Sequence, residues 1–132
     1  MKKLVLAATA YIVIVFPLAV LWHAGLFKEK YEAFGYFSGD PNIPVGLLSI
    51  VVQGIVLAVL YPRFQSDRAG FGRAIQYASL MGAFFWTSHV LGLVAKQNVP
   101  NALGFVVMET GYLVGQFGLF ALALGLIYRR AP

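Results

Sequence analysis

The 132-residue chain contains no cysteine, which removes disulfides, thiolate metal sites, iron–sulfur clusters and cysteine nucleophiles together. Charge is scarce as well. Asp and Glu number five, and charged residues make up 11% of the sequence against 60% hydrophobic. That balance is far from a soluble domain and reads as one membrane-embedded domain. The net charge of +5 raises the question of nucleic acid. No basic patch with interleaved aromatics supports it, so nucleic acid is not an expected partner. Walker-type and dinucleotide glycine loops are absent, as is HExxH. Ser88 and His89 are adjacent, and neighbouring side chains on a helix diverge by about 100°, so they do not form a dyad. Asp40 and Asp67 sit in turn-like composition and are expected to be solvated turns.

What the sequence has is long apolar runs. Four are long enough to cross a bilayer: about residues 4–26, 43–61, 71–95 and 102–128. All four are expected to be helices, because an open sheet would leave backbone groups unpaired in lipid. The start, MKKLVLAATAYIVIVFPLAVLWHAG, has the charged-then-apolar order of a signal peptide. Its apolar run is too long for one and Ala8-Thr9-Ala10 lies too early for cleavage, so it is read as a retained first span.

The connections set the orientation. Lys2, Lys3, Arg63, Arg68, Arg73, Arg129 and Arg130 fall on one side, and Lys28, Lys30 and Lys96 on the other. Seven positives against three place both termini in the cytoplasm. The expected fold is therefore an all-α, four-helix transmembrane bundle with both ends inside, in a membrane that suits a bacterial inner membrane. The outer loop, residues 27–42, mixes Phe27, Tyr31, Phe34, Tyr36 and Phe37 with charges, as a short interfacial helix or an ordinary loop with belt aromatics would. Gly39-Asp40-Pro41 signals a turn, and Pro17 is expected to kink the first helix.

A faint repeat runs through the chain. Trp22-His23 ends helix one, and Trp86 with His89 ends helix three. Gln53 follows Pro44 by nine residues, as Glu109 follows Pro100. With both hairpins in the same orientation, this would be a parallel repeat.

Glycines at 104, 111, 118 and 125 recur every seven residues, and Gly115 adds a small-xxx-small pair with Gly111. This spacing keeps a groove facing one partner along a left-handed crossing. It is read as a helix-packing seam, inside the bundle or between copies, with a lipid groove as the other reading.

Glu109 is the anomaly, a carboxylate in an apolar run that continues to Ile127. Such a group must be neutralised, paired, hydrated or useful. With alternating helix directions, Glu109 falls roughly 8 Å and His89 roughly 9 Å to the outer side of their helix midpoints at 1.5 Å per residue, with His23 further out. Gln53 and Gln116 fall near mid-depth. Glu109, Tyr112 and Gln116 lie within roughly 60° of one another on helix four, so they form a polar stripe. Four readings stay open for His23, Gln53, His89, Glu109, Tyr112 and Gln116. One is a polar knot that fixes helix pairing. A second is a proton or ligand site. A third is a metal site of His23, His89 and Glu109, whose ligand types suit zinc, iron or copper. The fourth is haem held by His23 and His89, against which the expected shallow position of His23 counts.

WHAGLFKEKYEAFG after a first span, followed by PVGLLSIVVQGIVLAVLYPR, resembles small bacterial four-helix integral membrane families whose domain function is unassigned. The resemblance covers the first half better than the second and implies architecture. Small multidrug transporters also have four short helices and a membrane glutamate, but theirs is in helix one, and this helix one has none. The leading functional expectation is a non-enzymatic accessory or assembly subunit of a larger membrane complex, or a homo-oligomer, packing through the glycine row. The alternative is a small transporter or a ligand- or metal-binding protein built on the His/Glu residues.

Overall fold

The computed structural model describes residues 1–64 and 70–129. Asp67, Arg68 and Arg130, used above for turns and topology, lie outside the described residues. Backbone groups in long apolar segments find their partners only within a helix, and the four runs form helices accordingly. They are α1 (Lys2–Leu26), α3 (Ile43–Phe64), α4 (Phe71–Lys96) and α5 (Ala102–Tyr128), each long and apolar enough to cross a membrane. Between α1 and α3 lies the short α2 (Lys28–Ala33). The described residues contain no strand. α3 runs past Pro62 to Phe64, three residues beyond the expected end.

α1 packs against α3 and α5, and α4 packs against α5. At the end holding the termini, α3 and α4 also meet. Tyr77 Oη donates to the Leu57 carbonyl at 2.7 Å, and the Tyr61 ring packs edge-on against Tyr77 and Tyr128 at 5.1 and 4.8 Å. Toward the opposite end α3 leaves the bundle. Its first seven residues, 43–49, are all exposed on the chain's surface, whereas Gly54, Leu57, Ala58 and Tyr61 are buried. The bundle is thus tied at the termini end and opens beside α3 at the α2 end.

Two local departures from α geometry were not anticipated. Val20–Leu26 and Thr87–Leu91 are π turns. A π turn holds an extra residue and widens the helix, which re-aims side chains and recurs at functional sites. The first follows Pro17, whose ring removes a backbone donor. Around the second, the Thr87 and Ser88 hydroxyls donate to the Phe84 and Phe85 carbonyls at 2.7 and 3.1 Å. The turns coincide with the two Trp/His segments paired by the sequence repeat. His23 lies in one and His89 in the other.

The glycine row of α5 does not make one continuous seam within the chain. A Cβ on Gly104 would first meet its own cap, the Asn101 side chain that accepts from Gly104 N–H. Gly111 and Gly115 stand at ordinary contact distance, 4.0 and 3.9 Å, from Trp22 and Leu18 of α1. Gly118 faces open space, and Gly125 packs tightly on the Phe71 ring. The row divides because α5 packs against two helices at once and its seven-residue repeat follows neither along its length. Close interhelical approaches also occur at Gly54, where an added Cβ would lie 3.1 Å from the Tyr11 ring and 3.2 Å from the Ala8 carbonyl, and at Gly82, where it would lie 3.1 Å from the Phe117 ring.

Candidate functional site

Four elements converge on one carboxylate at the α2 end. Glu109 on α5 has no exposed surface. From the α1 π turn, His23 Nε2 lies 3.0 Å from Oε2 and 3.2 Å from Oε1. From the α4 π turn, His89 Nε2 lies 2.7 Å from Oε1. From α2, the Tyr31 hydroxyl donates to Oε2 at 2.6 Å. A buried carboxylate without such partners would cost several kcal/mol, and here every donor has been brought to it by a separate helix.

The partners constrain where the protons are. Trp22 Nε1–H can only donate, and it donates to the Tyr31 oxygen at 2.8 Å, so the single Tyr31 proton goes to Glu109. His23 Nδ1 lies 3.0 Å from the Ala19 carbonyl, which can only accept, so Nδ1 carries a proton. His23 Nε2 and Glu109 then need one further proton between them. It sits on Nε2, giving an imidazolium–carboxylate pair, or on the carboxyl, giving two neutral groups. Both forms contain the same number of protons and the same zero net charge. His89 Nε2 either donates to Oε1 as a neutral imidazole or accepts from it, so it joins the same exchange. The geometry thus lets Glu109 exchange a proton with either His23 or His89.

Further aromatic groups close the cluster. The Tyr36 ring stacks on His23 at 5.2 Å, Tyr112 packs edge-on to His23 at 4.5 Å, and Phe85 stacks on His89 at 5.0 Å. α2 is amphipathic as expected, exposing Lys28, Glu29, Lys30 and Glu32 while burying Tyr31. It is packed into the mouth of the bundle, held by Tyr31 and by Phe34 on Phe105. This cover explains why His23, expected near the surface, is only 7% exposed.

One layer toward the termini, a second polar set crosses the bundle. Gln116 Nε2 donates to the Tyr11 hydroxyl at 2.7 Å. Tyr11 donates to Gln53 Oε1 at 2.9 Å, and Gln53 Nε2 reaches the Ser49 hydroxyl at 3.2 Å. Between the two layers is a cavity of about 290 Å³ beside α3. His23, His89, Tyr112, Gln116 and Gln53 all line it. Thus every residue of the candidate set lies in the cluster or on this cavity, and Gln53 and Gln116 join through Tyr11 rather than touching Glu109.

Sequence reasoning missed Tyr31, Tyr36, Trp22 and Tyr11. The available signal was a pair of hydroxyl-bearing rings, Tyr31 and Tyr36, among the phenylalanines of the connection between the first and second spans. The metal reading of His23, His89 and Glu109 does not fit the way these groups are engaged. Both His23 nitrogens are committed to oxygen partners, and no group of three His, Asp or Glu among the described residues is arranged around an ion position. The haem reading fails on space, because the Glu109 carboxylate stands between the two imidazoles. Comparison with protein-family models, curated proteins and solved structures returns no match for this chain.

Proposed function

We propose that this is a multi-pass membrane protein that binds a small lipid-soluble ligand in the cavity beside α3 and links binding to the proton held by Glu109, His23 and His89. One observation carries this reading: the two imidazoles in hydrogen-bond contact with the buried carboxylate also line a cavity of about 290 Å³. A polar knot serving only to fix helix pairing has no need of a cavity along its reactive face. A ligand at that wall changes the surroundings of both imidazoles, and the shared proton redistributes in response. The groups facing Glu109 are His23, Tyr31 and His89, with Tyr36 and Tyr112 stacked around them. Charge placement supports both termini in the cytoplasm and the cavity in the outer half, in a bacterial inner membrane. The test is native mass spectrometry of the full chain extracted from its own membranes. Wild type is expected to carry a small molecule that folded Glu109→Gln protein has lost. Equal retention by both would count against a ligand site.

A second reading, an accessory or assembly subunit or a homo-oligomer, is favoured by a separate feature. An apolar groove of about 780 Å³ runs between α4 and α5, floored by Gly82, Gly115 and Gly118. Because the chain has no native cysteine, Gly118→Cys gives a clean cross-linking probe. A disulfide-linked dimer or a cross-linked larger partner in native membrane supports this reading, and a chain that remains monomeric opposes it.

A further inference from the structure

The cavity beside α3 also constrains the chemistry of its occupant. This inference rests on the ligand-site reading above and sharpens it. Three features of the lining matter.

The first is charge. No Lys, Arg, Asp or Glu is among the described residues that line the cavity, and Glu109 lies behind the His23 and His89 imidazoles rather than on the wall. A carboxylate, phosphate or ammonium entering there would lose its hydration without gaining a counter-charge, which is strongly unfavourable in an apolar setting. The second is two polar atoms without hydrogen-bond partners on side chains that are themselves nearly buried. Gln116 is 2% exposed and uses its amide N–H on Tyr11, while its carbonyl oxygen accepts no hydrogen bond among the described residues. Tyr112 is 5% exposed, and its hydroxyl likewise makes none. The two residues are four apart on α5, hence adjacent on one helix face, and both line the cavity. The third is size and wall chemistry. A cavity of about 150 Å³ suffices for a benzene ring, and this one is larger, with the Phe85–His89 stack on one side.

We infer that the cavity binds an uncharged, hydroxyl-bearing amphiphile of the phenol or alcohol type, whose O–H donates to the Gln116 carbonyl and whose oxygen accepts from the Tyr112 hydroxyl. A hydroxyl is the smallest group that meets both needs at once, since one side requires a donor and the other is served by an acceptor. Its apolar remainder lies along Phe85 and Ile50 and leaves past the outer half of α3, where residues 43–49 are uncovered.

The experiment measures affinity by calorimetry on the full chain in nanodiscs with four matched probes: a 4-alkylphenol, its methyl ether, the 4-alkylbenzoate and the 4-alkylphenyl trimethylammonium ion. The phenol is expected to bind about tenfold or more tightly than each of the others, the effect of one lost hydrogen bond or one uncompensated charge. Tyr112→Phe, which removes the donor to the ligand oxygen and keeps the ring, is expected to weaken phenol and ether by similar factors, because both oxygens accept from it, and to leave the difference between them in place. Equal binding of phenol and ether would overturn the hydroxyl assignment, and tighter binding of either ion would overturn neutrality. In both of those cases the ligand site itself stands. If no probe binds wild type, the ligand-site reading falls and this inference falls with it.

Discussion

Tyr31 of α2 donates its hydroxyl proton to Glu109 of α5 at 2.6 Å, across 78 positions of sequence. This bond fastens the α1–α3 connection onto the only acidic group buried among the described residues, and through Trp22 it extends to α1. Tyr31→Phe removes a hydrogen bond to a charged or proton-sharing acceptor and leaves the Trp22 N–H without its acceptor. The expected cost is about 1.5–3 kcal/mol. In a Trp86→Phe background, which leaves Trp22 as the single tryptophan, its emission is expected to shift when Tyr31 becomes Phe. Unchanged emission together with unchanged thermal stability would mean that the latch is not formed.

Alkaline pH tests the same contact from another direction. Burial foremost, then the bond to Glu109, holds the Tyr31 phenol above its ordinary pKa, and burial with the Glu109 charge does the same for Tyr36. A raised folded-state pKa gives stability that is complete below the unfolded value, about 10, and is lost as pH climbs from there toward the folded value. Thermal unfolding in detergent is therefore expected to fall above about pH 10, and less steeply in Tyr31→Phe. Equal slopes in the two proteins would contradict the burial of Tyr31.

At the termini end, Tyr61 and Tyr77 make a matched pair of opposite sign. The Tyr61 hydroxyl is buried with no hydrogen-bond partner, whereas that of Tyr77 donates to the Leu57 carbonyl. Tyr61→Phe is expected to leave stability unchanged or raise it by up to about 1 kcal/mol, and Tyr77→Phe to lower it by about 1 kcal/mol or more. Equilibrium unfolding of the two variants side by side reads the difference.

Two glycines separate packing within the chain from packing between chains. A methyl group on Gly54 would press on the Ala8 carbonyl and the Tyr11 ring, so Gly54→Ala is expected to destabilise by about 1–3 kcal/mol. Gly118 faces open space, so Gly118→Ala is expected to be neutral or slightly stabilising in the monomer, by up to about 1 kcal/mol of helix propensity. Loss of an oligomer in Gly118→Ala without loss of monomer stability would assign the groove to an interface.

The helices were legible because length and apolarity decide them. All four expected spans match observed helices, and α3 shows the largest shift at an end, three residues past its expected terminus. The face of α5 carrying Glu109, Tyr112 and Gln116 was legible from 3.6-residue periodicity, and all three side chains are buried. The π turns were not, because they depend on which carbonyls a proline and two hydroxyls release or take up rather than on the pattern of apolar residues. Without them His23 looked too shallow. Tyr31 was hidden for a related reason: an amphipathic helix reads the same whether its apolar face meets lipid or the mouth of its own bundle. The regular spacing of the glycine row specifies a groove but not which molecule fills it.

The proposal that Glu109, His23 and His89 share a proton is tested most directly by ¹⁵N NMR of the two histidines in lipid bilayers, in wild type and in Glu109→Gln. His23 Nδ1 is expected to be protonated in both proteins, bonded to the Ala19 carbonyl. Its Nε2 is expected to change from a shared-proton signal in wild type to that of a neutral imidazole in the variant. A wild-type His23 with bare Nδ1, or His23 and His89 spectra that the substitution leaves unchanged, would contradict a proton held in common.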